Sequence, residues 1–403
     1  MRALLTHRNT RLYLSGQVMS LFGDSALWLA MGIWIKVLTG SSAAAGLSFF
    51  ALALGSLCGP LGGMLADRVR RRPLLVIVNL ATAGLVLALL LVRDRHQVWL
   101  IYTVMFGYGV SGSVLGPAQT ALVQAIVPAD LLGDANGALQ TAQQGLRLVT
   151  PLAGAGLFAA FGPVPVIIGD AATFLVAVAT LLALRISESR PAPSGQRWLA
   201  ELTAGARHIA RTAVLRQLTI TATVVVTAYG LSETVLFAVV SQGLHKPVPF
   251  LGVLVSAQGI GAIAAGLTAG PLIRRLGEGL VAGLGMVSAA VGYLLLVAPW
   301  LEVALAASVL LGASLPWIIV AIMTLFQRRT PPELMGRTDA AFTVAYAVPQ
   351  TIAIALGAAL ISVLDYRILL VVITALMALA AGYLCTRPEQ RPASTAEAAE
   401  AAI

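Results

Sequence analysis

The sequence predicts an all-α integral membrane protein, twelve transmembrane helices in two six-helix pseudo-repeats, and three observations carry that expectation. Apolar residues make up 58% of the 403 and charged residues 11%, whereas soluble domains carry about 25% charged residues. Runs of about 20 mainly apolar residues, the length that crosses a bilayer as a helix, recur near 11–38, 43–66, 73–92, 97–122, 131–160, 163–185, 214–241, 248–272, 278–298, 300–326, 337–362 and 366–385. The chain also repeats itself at an offset of 203 residues: Arg71 and Arg72 recur as Arg274 and Arg275, Gly109 as Gly312, Ser111 as Ser314, Gln124 as Gln327, and Pro128, Leu131 and Gly133 as Pro331, Leu334 and Gly336. One offset serving several separate stretches marks a duplicated architecture.

An even number of spans leaves both termini on one side. Of the 26 basic residues, only Lys36, Arg93, Arg95, Lys246 and Arg367 fall in odd-numbered connections and Arg147 falls inside a span; the other 20 lie in the amino terminus, the even-numbered connections and the carboxyl tail. The positive-inside rule therefore places both termini in the cytoplasm of a multi-pass protein of the cell's inner (cytoplasmic) membrane. The net charge of +9 then reflects topology and contact with phospholipid headgroups, so no nucleic-acid partner is expected. Residues 1–10 lack the short apolar core and small-residue cleavage site of a signal peptide, and the first span reads as a retained helix. Cys58 and Cys385 form no metal-ligand spacing, the four histidines make no mutual motif, and no cofactor or metal is expected.

The domain plan follows from the connections. An amino-terminal six-helix half occupies 1–185 and a carboxyl-terminal half 214–385. Between them 186–213 opens with the breaker-rich RPAPSG. Within that linker Trp198, Leu202, Ala206 and Ile209 recur at helical spacing while Arg197, Glu201, Arg207 and Arg211 take other faces. That pattern fits a helix lying on the inner membrane surface, or a solvated linker that is helical. The tail 386–403 has no apolar face and reads as disordered. Glycine is abundant, 39 copies, and Gly109, Gly112, Gly116, Gly259 and Gly266 are expected to let helices approach closely. Pro60, Pro151, Pro316 and Pro349 mark expected bends.

Between the second and third spans the chain reads GMLADRVRRRPLL from Gly63 to Leu75. This resembles the signature loop of the major facilitator superfamily at Gly63, Leu65, Asp67, Arg68, Arg71, Arg72 and Leu75, with Arg70 where that family usually has glycine. The resemblance implies that Gly63, Asp67, Arg68, Arg71 and Arg72 form a gating loop, with Asp67 facing the positive end of a helix in the other half and latching the inner side. The alternative is that the arginines serve topology. The second copy has Gly270 where Asp67 would fall. Three further stretches, LFGDSALWLAMGIWIKVLTGSS from Leu21, GPAQTALVQAIVPADLLGDANGAL from Gly116 and TPLAGAGL from Thr150, look like the drug:proton antiporter branch that includes macrolide and siderophore exporters. The last departs from that branch's antiporter motif, with Thr150 before Pro151 and Ala153 before Gly154, and this keeps import open beside export.

A charge at the bilayer centre costs roughly 2.5–3.5 kcal/mol, so each needs a reason. Asp24 lies 13 residues, about 20 Å, into the first span, on a face with Gln17, Ser20 and Trp28 that should line a wet cavity. Glu233 shares its face with Tyr229 and Phe237. An acid one turn from an aromatic ring suits an amphipathic cation. It equally suits proton coupling, since a desolvated carboxylate can exchange its proton for a cationic substrate. Asp24 and Glu233 are thus candidate proton-coupling residues, with Arg147 a counter-charge. Gln17, Trp28, Tyr229 and Trp317 are candidate cavity residues. Structural ion pairs or packing hydrogen bonds remain the alternative. Asp170, seven residues from the outer end of the sixth span, reads as an interfacial, hydrogen-bonded aspartate.

No phosphate-binding Gly-rich run ending in Lys and Ser or Thr occurs, and scattered acids without nucleophile or metal ligands make no enzyme. The expectation is a monomeric secondary active exporter of small drug-like or siderophore-like amphipathic compounds, a multidrug efflux antiporter relevant to antibiotic resistance that works by rocking of two halves. The alternatives are an importer or lipid-moving member of the same superfamily, or a non-transporting membrane receptor.

Overall fold

Inside a bilayer, backbone N–H and C=O groups find no water, so an apolar run must satisfy them internally as helix. The computed structural model obeys this. It describes residues 7–387 apart from 60, 61, 64, 66–68, 128–130, 185–197, 332 and 333. The described residues contain helices and no strand: α1 Arg8–Thr39, α2 Ser42–Ser56, α3 Arg71–Leu87, α4 Val98–Ile126, α5 Leu132–Phe161, α6 Pro163–Ala183, α7 Trp198–Arg211, α8 Ala213–Ala238, α9 Leu251–Leu276, α10 Glu278–Leu295, α11 Leu301–Arg329, α12 Met335–Leu360 and α13 Tyr366–Cys385. Each predicted span falls on a helix. Ten helices among the described residues are long and apolar enough to cross a membrane, and two shorter apolar stretches are Ser42–Ser56 and Val149–Phe161. The chain is a multi-pass membrane protein.

Local chemistry sets the boundaries. Gly40 takes the left-handed conformation, φ 70°, and its N–H bonds the Lys36 carbonyl to end α1; Ser41 then caps α2 by accepting the Ala44 N–H. Only glycine adopts that φ without strain. The buried Lys36 ammonium seals the corner, donating to the Gly40 carbonyl at 2.9 Å and to Ser42 Oγ at 2.8 Å. Gly162 ends α5 and Pro163 starts α6 at the first-turn position where its missing N–H costs nothing. Prolines 117, 151, 271, 316 and 349 all lie inside helices. Cys58 and Cys385 are free thiols.

The chain forms two compact units. The first comprises the described residues of Met1–Gly195 with Leu236–Ser256 and Gly357–Val363; the second comprises those of Gln196–Val235, Ala257–Leu356 and Leu364–Ile403. In the first, α1 is central, packed against α2, α5 and α6, while α3 packs on α4 and α6 and α2 packs on α4. In the second, α10 packs on α11 and α13, and α7 rests with Gly205 against the Arg337 carbonyl.

Glycine makes some of these contacts possible. A Cβ on Gly55 would overlap the Phe106 carbonyl oxygen and one on Gly109 that of Leu52, so α2 and α4 touch backbone to backbone. In the second unit Gly261 and Gly312 meet the carbonyls of Val309 and Gln258 in the same way. Gly112, Gly116 and Gly266, expected to do likewise, have no atom within 4 Å of where a Cβ would stand. Gly112 and Gly116 border a cavity instead.

Arg328 Nη1 stands 2.6 Å from Glu278 Oε1 as an ion pair without hydrogen-bond alignment. The Arg328 side chain is two-thirds exposed, and exposed pairs contribute about 0–1 kcal/mol. Glu278→Gln should therefore leave the thermal midpoint of the detergent-solubilised protein nearly unchanged. A large drop would show that the pair is structural.

Candidate functional site

In the first unit the sequence puts polar residues one helical turn apart on α1, and the fold turns that stripe inward. Gln17, Ser20 and Asp24 line a cavity of about 160 Å³ with Thr82 of α3, Tyr108, Ser111 and Gln119 of α4, and Phe174 of α6. The Tyr108 hydroxyl donates to Asp24 Oδ1 at 2.5 Å. Gln17 Nε2 donates to Gln119 Oε1 at 3.4 Å, and the Thr82 hydroxyl lies 2.8 Å from Ser111 Oγ as donor. Such a wall, polar on an apolar frame, can hold water or the polar part of a small molecule.

Trp28 is not among the cavity residues. Its ring packs 5.0 Å from Phe49, which stacks 5.9 Å from Phe237, itself fully buried and facing Gly32. Phe237 thus joins an aromatic cluster with α1 and α2.

In the second unit Tyr229 is tied into a network. Ser314 gives its only proton to the Leu311 carbonyl at 2.5 Å, so across their 2.6 Å separation Tyr229 is the donor. Tyr293 donates to Ser232 Oγ at 2.8 Å, Ser232 donates to the Tyr229 carbonyl, and the two tyrosine rings meet edge-on at 6.1 Å. Glu233, one residue from Ser232, has no hydrogen-bond or ion-pair partner among the described residues. Trp317 donates its indole N–H to Thr268 Oγ1 at 3.1 Å.

Asp170 departs from expectation. Expected to be hydrogen-bonded, it is 1% exposed, and neither carboxylate oxygen has a hydrogen-bond partner among the described residues. Depth along a helix axis says nothing of lateral burial, and α6 packs against α1 and α3. Of the loop residues, Gly63 is helical with nothing near its Cβ position, Arg71 opens α3, and Arg72 donates to the Leu182 carbonyl at 2.7 Å. Asp67 and Arg68 lie outside the described residues, as does the side chain of Arg147, whose backbone belongs to α5.

Tyr108 and Thr82 carry no motif, and although Gln119 lies in the quoted stretch from Gly116 and Asp170 stands out as a charge in a span, spacing along one helix could not bring them together. Ser111 and Ser314 did carry a signal, since they are one matched pair of the internal repeat and each makes a polar contact in its own unit.

Comparison with known proteins gives the same picture. The chain is 24% identical over 339 residues to macrolide efflux protein A of Streptococcus pyogenes, covering 80% of this chain and 82% of that protein. It is 24% identical over 310 residues to the protein of that name from Enterococcus faecalis, covering 74% and 94%. Among solved structures it resembles an inward-facing bacterial homologue of the iron transporter ferroportin, with TM-score 0.73, 15% identity and coverage of 94% and 99%. It also resembles a transporter of the POT family, with TM-score 0.74, 12% identity and coverage of 94% and 97%. A profile of the Major Facilitator Superfamily matches residues 13–245 and again 218–402, and the chain belongs to that superfamily of membrane transporters.

Proposed function

We propose that this transporter exports small amphipathic compounds, cationic ones foremost, in exchange for protons, by alternating access of two six-helix halves. The observation that carries the reading is Asp24, an intramembrane carboxylate held by Tyr108 at the wall of a polar cavity. A group so placed can bind a proton or a cation but not both. Glu233, without a partner beside the Tyr229 network, offers a second such position. The likeness to macrolide efflux proteins over most of their length supports export and a drug-like substrate. Twelve spans in two repeats are supported by the matched glycine contacts: Phe106 and Gly109 in one unit correspond at the 203-residue offset to Val309 and Gly312 in the other. The charge asymmetry of the connections supports an inner-membrane location with both termini cytoplasmic, and the loop from Gly63 to Arg72 is the proposed inner latch.

The test is the pH gradient of everted membrane vesicles. Addition of a cationic amphiphile, macrolides included, should collapse part of the gradient in vesicles bearing this protein and not in empty controls. If cationic, neutral and anionic amphiphiles all leave the gradient intact, proton-driven export is wrong. The reading left open by the Thr150-Pro151 and Ala153-Gly154 departures, import or lipid movement, then takes its place.

A further inference from the structure

The first unit buries a second carboxylate that the exchange proposed above leaves unused. Asp170 is enclosed on α6 with both oxygens unpartnered among the described residues, and an ionised carboxylate cannot rest in that condition without a neighbouring charge or a proton. Its surroundings show which neighbour it has. On α1, Gly23 makes the room: a Cβ there would stand about 2.5 Å from Asp170 Oδ1, and the next residue is Asp24. On α4, Tyr108 packs its ring edge-on against Phe174, one turn along α6, with centroids 5.8 Å apart, and gives its hydroxyl to Asp24. Asp24 lies within electrostatic reach of Asp170, and Tyr108 lies within reach of both. The charged groups of α3 are Arg71 and Arg72, and Arg72 is bonded at the far end of α6, to Leu182. On α5 the basic residue is Arg147. The Lys36 ammonium of α1 is engaged by Gly40 and Ser42.

We propose that Asp24 and Asp170 form one proton-sharing site, a pair of carboxylates that holds a single proton between them beside Tyr108. Two like charges this close do not both ionise freely. Tyr108 donates to Asp24, which makes Asp24 the ionised member and leaves the proton on Asp170. One proton from water binds the pair and the same proton leaves it; no other bond changes. The role of the pair in transport rests on the antiport reading, whereas the existence of the pair does not.

Infrared difference spectroscopy of the purified protein, following the protonated-carboxyl band against pH, tests it with wild type, Asp24→Asn, Asp170→Asn and Tyr108→Phe. Asp24→Asn should shift the titration of Asp170 toward lower pH by at least about one unit, because its charged neighbour is gone, whereas Asp170→Asn should not lower that of Asp24, which ionises while Asp170 is still neutral. Should Asp24→Asn fail to fold, Asp24→Ser removes the same charge and gives the same reading. Identical titration of Asp170 with and without Asp24 overturns the pair. The vesicle assay separates the two ideas. A shifted Asp170 titration without substrate-driven proton movement establishes the site and sinks antiport, while proton movement with independent aspartates preserves antiport and sinks the pair.

Discussion

Asp24→Asn is expected to abolish substrate-driven proton movement, leaving at most about a tenth of the wild-type signal, because an amide cannot ionise at any working pH. The substitution keeps size and shape, and the Tyr108 hydroxyl can still donate to the amide oxygen at the position of Oδ1. Fold and expression should therefore stay close to wild type, and binding of a neutral substrate should persist. Glu233→Gln should also impair proton-coupled transport, with still less effect on folding, since Glu233 has no partner to lose among the described residues. The measurement is gradient collapse in everted vesicles at matched protein level. Full activity in both variants would remove these acids from the coupling mechanism.

The largest effect on stability is expected at the glycines where backbones touch. A Cβ on Gly312 would overlap the Gln258 carbonyl oxygen, and one on Gly109 that of Leu52. A main-chain carbonyl in a helix cannot swing aside as a side chain can, so the helices must part. Overpacking of that kind costs about 1–3 kcal/mol and occasionally more. Gly312→Ala and Gly109→Ala should lower the thermal midpoint in detergent by several degrees, and leucine at either position should abolish the monodisperse folded peak. Gly84→Ala and Gly382→Ala, with open space around both positions, are the controls. Equal behaviour of Gly312→Ala and Gly382→Ala would mean that the close approach of α9 and α11 carries no weight.

The helices were legible because lipid imposes one rule on every span: enough apolar length and a satisfied backbone. The sequence places the start of α13 at 366, as the structure does, where Asp365 caps the helix by accepting the Arg367 N–H. The second span is interrupted rather than continuous: α2 Ser42–Ser56 gives way to a turn at Leu57 and Cys58, after which Gly59, Gly62, Gly63 and Leu65 are helical again, and apolar composition does not mark that interruption. The site was legible only helix by helix. A wheel drawn on α1 groups Gln17, Ser20 and Asp24, which border one cavity, with Trp28, whose ring packs against Phe49. The partner of Asp24 is 84 residues away, and no periodicity connects them. That Asp170 lacks the expected hydrogen bond was out of reach for the same reason: the clue to its burial is an absent side chain, Gly23, on another helix.

The glycine contacts between α2 and α4 and between α9 and α11 have a thermodynamic consequence. A seam built from side chains freezes rotamers when it closes, and that entropic penalty grows in free energy with temperature. Where glycine meets a carbonyl there are no rotamers to freeze. The usual backbone penalty of glycine is also absent, because helices already formed in lipid lose little main-chain freedom on docking. The attraction across such a seam is dispersion and weak Cα–H···O contact, enthalpic in origin. These two seams should therefore hold as the membrane warms, while the leucine- and valine-filled contacts around them loosen first.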